Sequence, residues 1–103
     1  MTFGQIIAEA RKKLNLSQKE LAAQIKKEDG QPISAPYLND IEHDRRSPSS
    51  DLLIQQFATI LDIPTDVLYY WAGLLPADIR SAEVDDKKVL AAFKAFRKAL
   101  QLT

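Results

Sequence analysis

Apolar residues return at helical intervals along nearly the whole chain. Phe3, Ile7, Ala10 and Leu14 recur every three or four positions, with Glu9, Arg11, Lys12 and Lys13 between them. That spacing predicts an amphipathic first helix, and Asn15 is placed to stop it. Ser17-Gln18-Lys19-Glu20 then fits a capping box, with Leu16 and Leu21 as the flanking hydrophobic staple. The second helix continues through Ala22 and Ile25 into the polar stretch 26–31, where Asp29-Gly30 marks a turn. Ser34 predicts the next N-cap, with Ile33 and Leu38 as a second staple, and Pro36 is tolerated in a first turn that needs no amide donor. Leu38 and Ile41 are the inward positions of this third helix, taken as 34–43.

Asp44-Arg45-Arg46-Ser47-Pro48 reads as a loop, and Ser49 is expected to cap a fourth helix carrying Leu53, Phe57, Ala58 and Leu61. A fifth helix starts near Pro64-Thr65, carries Val67, Leu68 and Trp71, and stops at Gly73. Three adjacent aromatics, Tyr69-Tyr70-Trp71, cannot all point one way, so at least one is expected to touch the connector or the last helix. The connector spans 76–84. From Asp85 onward Val89, Phe93, Phe96 and Leu100 recur at intervals of four, three and four, a narrow apolar seam with Lys94, Arg97 and Lys98 outside it. No segment alternates as a strand does, and no repeat or low-complexity tract is present. The predicted fold class is all-α.

The chain has 103 residues, a size suited to one domain with an appendage. Its 46% hydrophobic and 27% charged residues are ordinary for a folded protein and wrong for a disordered one. No Cys is present, which excludes disulfides and thiolate metal sites. No apolar run approaches the ~18 residues that a membrane span requires, and no signal peptide is visible, so a cytoplasmic protein without membrane contact is expected. Lys and Arg together number 14, matching 14 Asp and Glu. A chain with no net charge does not coat nucleic acid through bulk attraction, so any such binding needs a local basic surface.

Catalysis finds little support. His43 is the lone histidine, and no second ligand stands at metal-site spacing. Nucleophile-elbow, Walker and dinucleotide glycine patterns are all missing, and the carboxylates are scattered among lysines as on solvated helix faces. The expectation is no enzyme, no metal and no cofactor.

Residues 17–46 carry the main signal: a capped helix, a turn, a second capped helix and a basic loop. Ser17-Gln18-Lys19-Glu20-Leu21-Ala22, the stretch from Ile33 through Glu42, and Arg46-Ser47-Pro48-Ser49 followed by Leu53, Ala58, Leu61 and Ile63 resemble the Xre-type (lambda repressor/Cro-like) helix-turn-helix regulators. The resemblance covers roughly residues 3 to 72. It implies a five-helix DNA-binding domain over 1–75, with helix 34–43 as the recognition helix and 85–103 as an additional C-terminal helix for dimerisation or packing. It also implies that Gln18 contacts the DNA backbone and braces the recognition helix, and that Arg11 pairs with Glu42. Two departures stand out. The turn 26–32 is several residues longer than the family's, either a tolerated surface insertion or a means for Lys26 and Lys27 to reach a flanking phosphate. Asp44 stands where the family commonly has Gly; Asp tolerates a left-handed backbone, but it brings negative charge near the expected DNA face.

A helix of this kind fits the ~12 Å major groove, with its first turns facing base edges. With Leu38 and Ile41 inward, Ser34, Ala35, Pro36, Asn39, Asp40 and His43 lie on other faces and Tyr37 near the boundary. Asn39 suits an adenine edge through paired donor and acceptor, Asp40 a cytosine amine, and Ala35 and Pro36 a thymine methyl. Arg45 and Arg46 suit phosphates. His43 has a second reading, as a cation complementing the helix dipole. The function these features point to is a dimeric repressor on a palindromic operator in double-stranded DNA, the seam Val89, Phe93, Phe96 and Leu100 forming the homodimer. The alternative is a protein-interaction module, such as an antitoxin that binds a protein partner through its last helix; packing of the seam on its own bundle is the third way to cover it.

Overall fold

Each of the first three helices begins where a short polar side chain can satisfy its first amides, and the computed structural model, which describes residues 1–48 and 50–102, shows how. In α1 (Phe3–Lys13) the Thr2 hydroxyl accepts from the Gln5 amide, while Gln5 Oε1 accepts from the Thr2 amide at 2.9 Å. This second capping box follows a Thr-x-x-Gln pattern that the sequence displays. Asn15 takes φ 57° just past the helix end, as a stop residue must. In α2 (Gln18–Gln24) Ser17 and Glu20 exchange the expected pair of bonds, at 3.0 and 2.9 Å. In α3 (Ala35–Glu42) the Ser34 hydroxyl accepts from the Tyr37 amide at 3.1 Å, and Pro36 sits in the first turn.

The cap of α4 (Asp51–Leu61) is Ser50, whose hydroxyl accepts from the Leu53 amide at 3.3 Å; Ser49, expected in that role, lies outside the described residues. Asp62 closes α4 at φ 57°, and Gly73 closes α5 (Thr65–Ala72) at φ 72°.

Helix α1 packs on α3, α4 and α5, α2 on α3, and α4 on α5. Phe3, Ile7, Leu21, Ile25, Leu38, Ile41, Ile54, Phe57, Leu61, Leu68 and Tyr69 make a single core, in which Phe3 meets Phe57 edge-on at 6.4 Å. Burying each such large apolar side chain contributes about 1.5–3 kcal/mol, which is what holds short helices that would be marginal alone. Three inward assignments fail. Leu14, Val67 and Trp71 are exposed, and the buried residue among the three adjacent aromatics is Tyr69. Its hydroxyl donates to Asp51 Oδ1 at 2.6 Å, satisfying the one polar atom the ring carries inward.

The connector is not wholly irregular: α6 (Ala77–Arg80) makes one turn within it. Arg80 Nη2 reaches back to both carboxylate oxygens of Asp51, at 2.7 and 2.6 Å. Then α7 (Asp86–Ala99) runs from the Asp85 cap with no buried residue at all. The radius of gyration is 15.5 Å, against about 13 Å for a rounded domain of this size, because of that helix.

Candidate nucleic-acid interface

The exposed side of α3 is held in place from behind. Arg11 Nε and Nη2 donate to the two Glu42 oxygens at 2.7 and 2.9 Å, and Nη1 donates to the Leu16 carbonyl at 2.8 Å. The Glu42 side chain is only 3% exposed, so this fork replaces water around a buried carboxylate. Donating to the Glu42 carboxylate raises the Arg11 pKa further, so the guanidinium is permanently charged. Gln18 Nε2 then donates to Glu42 Oε1 and to Asn39 Oδ1, both at 3.0 Å. One chain of bonds therefore runs from α1 through Glu42 and α2 to the recognition face. Among the described residues no buried side-chain polar atom lacks a partner.

That chain alters the reading of Asn39. Its carbonyl already accepts from Gln18, which leaves the Nδ2 amine as the group without a protein partner among the described residues. Ser34 is occupied as the N-cap, Ala35 is half-buried and Pro36 is exposed. Asp40, the candidate to accept from a cytosine, accepts from Arg45 Nε at 3.1 Å through one of its carboxylate oxygens, so each is the other's counter-ion. His43 Nδ1 lies 2.9 Å from the backbone carbonyl oxygen of Asn39, one turn earlier in α3. A carbonyl only accepts, so that nitrogen carries a proton, and Nε2 is the ring position left for a ligand. Arg46 lies over the half-buried Tyr37 ring, its guanidinium carbon 4.6 Å from the centroid.

Asp44 lies in the left-handed region, at φ 59°. Its carboxylate does not stand free on the DNA side: it accepts from the Thr2 hydroxyl and, at 3.0 Å, from the Gly4 amide. The charge is thus spent on the positive N-terminal end of α1. Gly4 permits the approach, since a Cβ there would lie 2.4 Å from the Ile41 carbonyl oxygen and 2.5 Å from that of Glu42.

The lengthened turn is a clamped hairpin. Ile33 N donates to Ile25 O at 2.9 Å and Lys27 N to Gln31 O at 2.8 Å, on either side of the Lys26–Pro32 bridge. Gln56 of α4 both accepts from the Lys26 amide and donates to the Lys26 carbonyl, each at 2.7 Å. Both lysines are exposed, but the Lys26 ammonium donates to the Ala23 carbonyl at 3.1 Å, at the end of α2, so Lys27 is the one whose ammonium has no protein partner among the described residues.

Val89, Phe93, Phe96 and Leu100 remain 38–46% exposed. Tyr70 touches Phe96 edge-on at 6.2 Å and meets Trp71 edge-on at 5.1 Å without covering the seam. Thr2, Gly4 and Gln56, which position parts of this surface, and Asp51 and Arg80, which tie the connector to α4, went unread in the sequence; only Thr2 carries a local signal, its spacing to Gln5.

Two capped helices joined by a turn, the second packed across the first, are the arrangement of the helix-turn-helix class. A family model described as helix-turn-helix (HTH_3) matches residues 7–68, and this chain belongs to that family, of the Xre/lambda repressor-like type. Among curated proteins it is similar to the "uncharacterized HTH-type transcriptional regulators" MT0491 and Rv0474 of Mycobacterium tuberculosis (strains CDC 1551 / Oshkosh and ATCC 25618 / H37Rv). Identity to each is 31% over 90 residues, which is 84% of this chain and 59% of the relative. The chain thus spans less than two thirds of the length of these relatives. Among solved structures, a chain of a SinR protein/SinI protein complex superposes with a TM-score of 0.55, covering 99% of this chain and 100% of that one at 22% identity. At that identity the likeness is one of fold. No helix among the described residues is long and apolar enough to cross a membrane.

Proposed function

We propose that this protein is a sequence-specific DNA-binding transcriptional regulator, a non-enzymatic cytoplasmic repressor acting as a homodimer on a palindromic operator. The observation that carries the reading is the brace behind α3. A helix whose polar face were merely solvated would not need its Asn39 fixed through Gln18 and Glu42 to Arg11. Preorganised donors lose little entropy on meeting a base edge. In this reading α3 enters the major groove, Asn39 Nδ2, His43 Nε2, Ala35 and Pro36 meet bases, and Gln18, Lys27 and Arg46 meet phosphates. Two copies related by a two-fold axis would place their helices one turn of DNA apart, about 34 Å, and would occlude a promoter by occupying it. The seam of α7 supplies the self-complementary surface. Selection of bound duplexes from random oligonucleotides tests this directly: a symmetric enriched motif is expected, and no enrichment over the starting pool would overturn it.

A second reading rests on that same uncovered seam. The structural neighbour comes from a complex of two proteins, and a foreign protein helix on Phe93 and Phe96 would make this chain a partner-binding module. A chain that stays monomeric at high micromolar concentration favours this reading over the dimer.

A further inference from the structure

The two arginines that follow the recognition helix are held by opposite means. Arg45 is tied to a carboxylate, Asp40, at 3.1 Å, so part of its charge is answered before any ligand arrives. Arg46 makes no ion pair among the described residues and rests on the face of the Tyr37 ring, 4.6 Å from its centroid. Tyr37 is itself a fixed platform: its ring packs against the core and its amide is bonded to the Ser34 hydroxyl. An aromatic face attracts a guanidinium without neutralising it, and stacking leaves the in-plane N–H edges open. Those edges are the fork that matches two phosphate oxygens.

We infer that Tyr37 is the positioning residue for Arg46, and that Arg46, not Arg45, is the principal phosphate anchor beside the recognition helix. The inference rests on the DNA-binding reading. A long side chain already stacked surrenders fewer rotamers when a phosphate arrives. Arg45 must instead leave Asp40 or bring that negative charge with it. Tyr37 stands in the first turn of α3 and Arg46 beyond its last, so the stack also fixes the exit loop relative to the end of the helix that enters the groove.

The test is binding of the full chain to an unrelated 25-base-pair duplex across a salt series, with Arg45→Ala, Arg46→Ala, Tyr37→Phe, Tyr37→Leu and the Tyr37→Leu/Arg46→Ala double variant. Arg46→Ala should reduce the slope of log affinity against log salt by about one. Arg45→Ala should change it less. Tyr37→Phe keeps the ring and should bind like the unmodified chain, whereas Tyr37→Leu should bind about two- to fivefold more weakly. The double variant should bind no more weakly than Arg46→Ala alone. Without DNA, ring current should shift the Arg46 side-chain protons upfield in the unmodified and Tyr37→Phe proteins, a reading that survives even if Tyr37→Leu fails to fold. Independent, multiplying losses in the double variant, equal losses for the two arginines, or no upfield shift would each overturn the inference. An unmodified chain that binds no duplex at low salt would instead remove the DNA reading, and this inference with it.

Discussion

The helical bundle that ends at Gly73 and the tail formed by α6 and α7 are written in the same code and meet different fates. Both carry apolar residues at helical spacing behind a polar N-cap. In the bundle those residues are covered: Phe3 and Phe57 are 6% and 0% exposed. In α7 the equivalent Phe93 and Phe96 are 43% and 46% exposed, and the seam lies open along its length. Amphipathic spacing therefore specifies a helix and a face but says nothing of what the face will meet. The course of the connections decides that. Within the bundle even the long 25–34 connection is clamped as a hairpin and returns the next helix to its neighbours. Residues 73–85 instead lead to an α7 without a buried residue, tied back through Arg80–Asp51 before it and the edge of Tyr70.

The largest effects on stability should come from breaking the bundle's interior, first of all where its buried carboxylate sits. Glu42→Ala strands the Arg11 guanidinium, whose side chain is 11% exposed, beside the Leu16 carbonyl. Removing one partner of such a pair costs about 3–5 kcal/mol, a large share of a small domain's stability. Chemical denaturation should show the loss as a lower midpoint at unchanged slope. The same substitution in the tail's exposed charges, Lys94→Ala for example, should leave the midpoint within about 0.5 kcal/mol. Equal effects would mean that the two regions do not differ as described.

A smaller effect is expected where tail and bundle touch. The Tyr69 hydroxyl, and after it Arg80, hold the Asp51 carboxyl below its ordinary value of 3.8. A lowered folded pKa means that this contribution is complete above the ordinary value and is lost as pH falls through the folded one. Tyr69 behaves in the opposite sense: burial, and then the bond to Asp51, push its pKa above 10.0, so its share is kept below that pH and lost above it. Arg80→Ala should therefore lower the melting temperature slightly near neutrality. The gap to the unmodified protein should close as pH drops below about 3.8. A gap that persists unchanged at pH ~2 would show that Arg80 acts by packing and not by its charge.

What the sequence made legible follows the range of the interactions involved. The Ser17–Glu20 box, the Ser34 cap and the Leu38–Ile41 face are all set within a turn or two, so local spacing exposes them. Leu14, Val67 and Trp71 were misassigned because periodicity does not reveal where a buried stripe ends. Asp44 defeats local reading altogether. Its partners, Thr2 and Gly4, lie some forty residues away, so local spacing gives no sign that this carboxylate binds the first turn of α1. Asp40 and Arg45 both look like free polar groups until the loop folds one onto the other. The Arg11–Glu42 pair, remote in sequence, entered only through family resemblance. The lengthened turn showed its excess residues in the sequence, but its clamp by Gln56 depends on where α4 lies.

The smallest effect on folding should come from the substitutions that look most drastic on paper. Replacing both Phe93 and Phe96 by Ser removes two large aromatics from α7, yet neither belongs to the core, and α7 has no buried residue. In the bundle a comparable change, Phe57→Ser, would open a cavity and bury a hydroxyl, and it should cost at least the ~3–5 kcal/mol of a Phe→Ala truncation. In the tail the thermal midpoint of the isolated protomer should stay nearly fixed, since Phe96 meets the edge of Tyr70 and Phe93 the Arg97 guanidinium, both on the surface. Association is where the change should register. If two copies cover one another's seam, each phenylalanine contributes about 1.5–3 kcal/mol of burial, and sedimentation should show the dimer replaced by a monomer at micromolar concentration. The resulting monomer should bind a half-site and lose the cooperative occupation of two. The helices themselves, under three heptads long, associate weakly without the bundle's surface beside them. An isolated peptide of residues 85–103 should therefore remain monomeric and poorly helical even where the full chain is paired. A double variant that unfolds with the bundle, at a midpoint lowered as far as in Phe57→Ser, would show that the tail is part of the core after all and would abolish the contrast between the two regions.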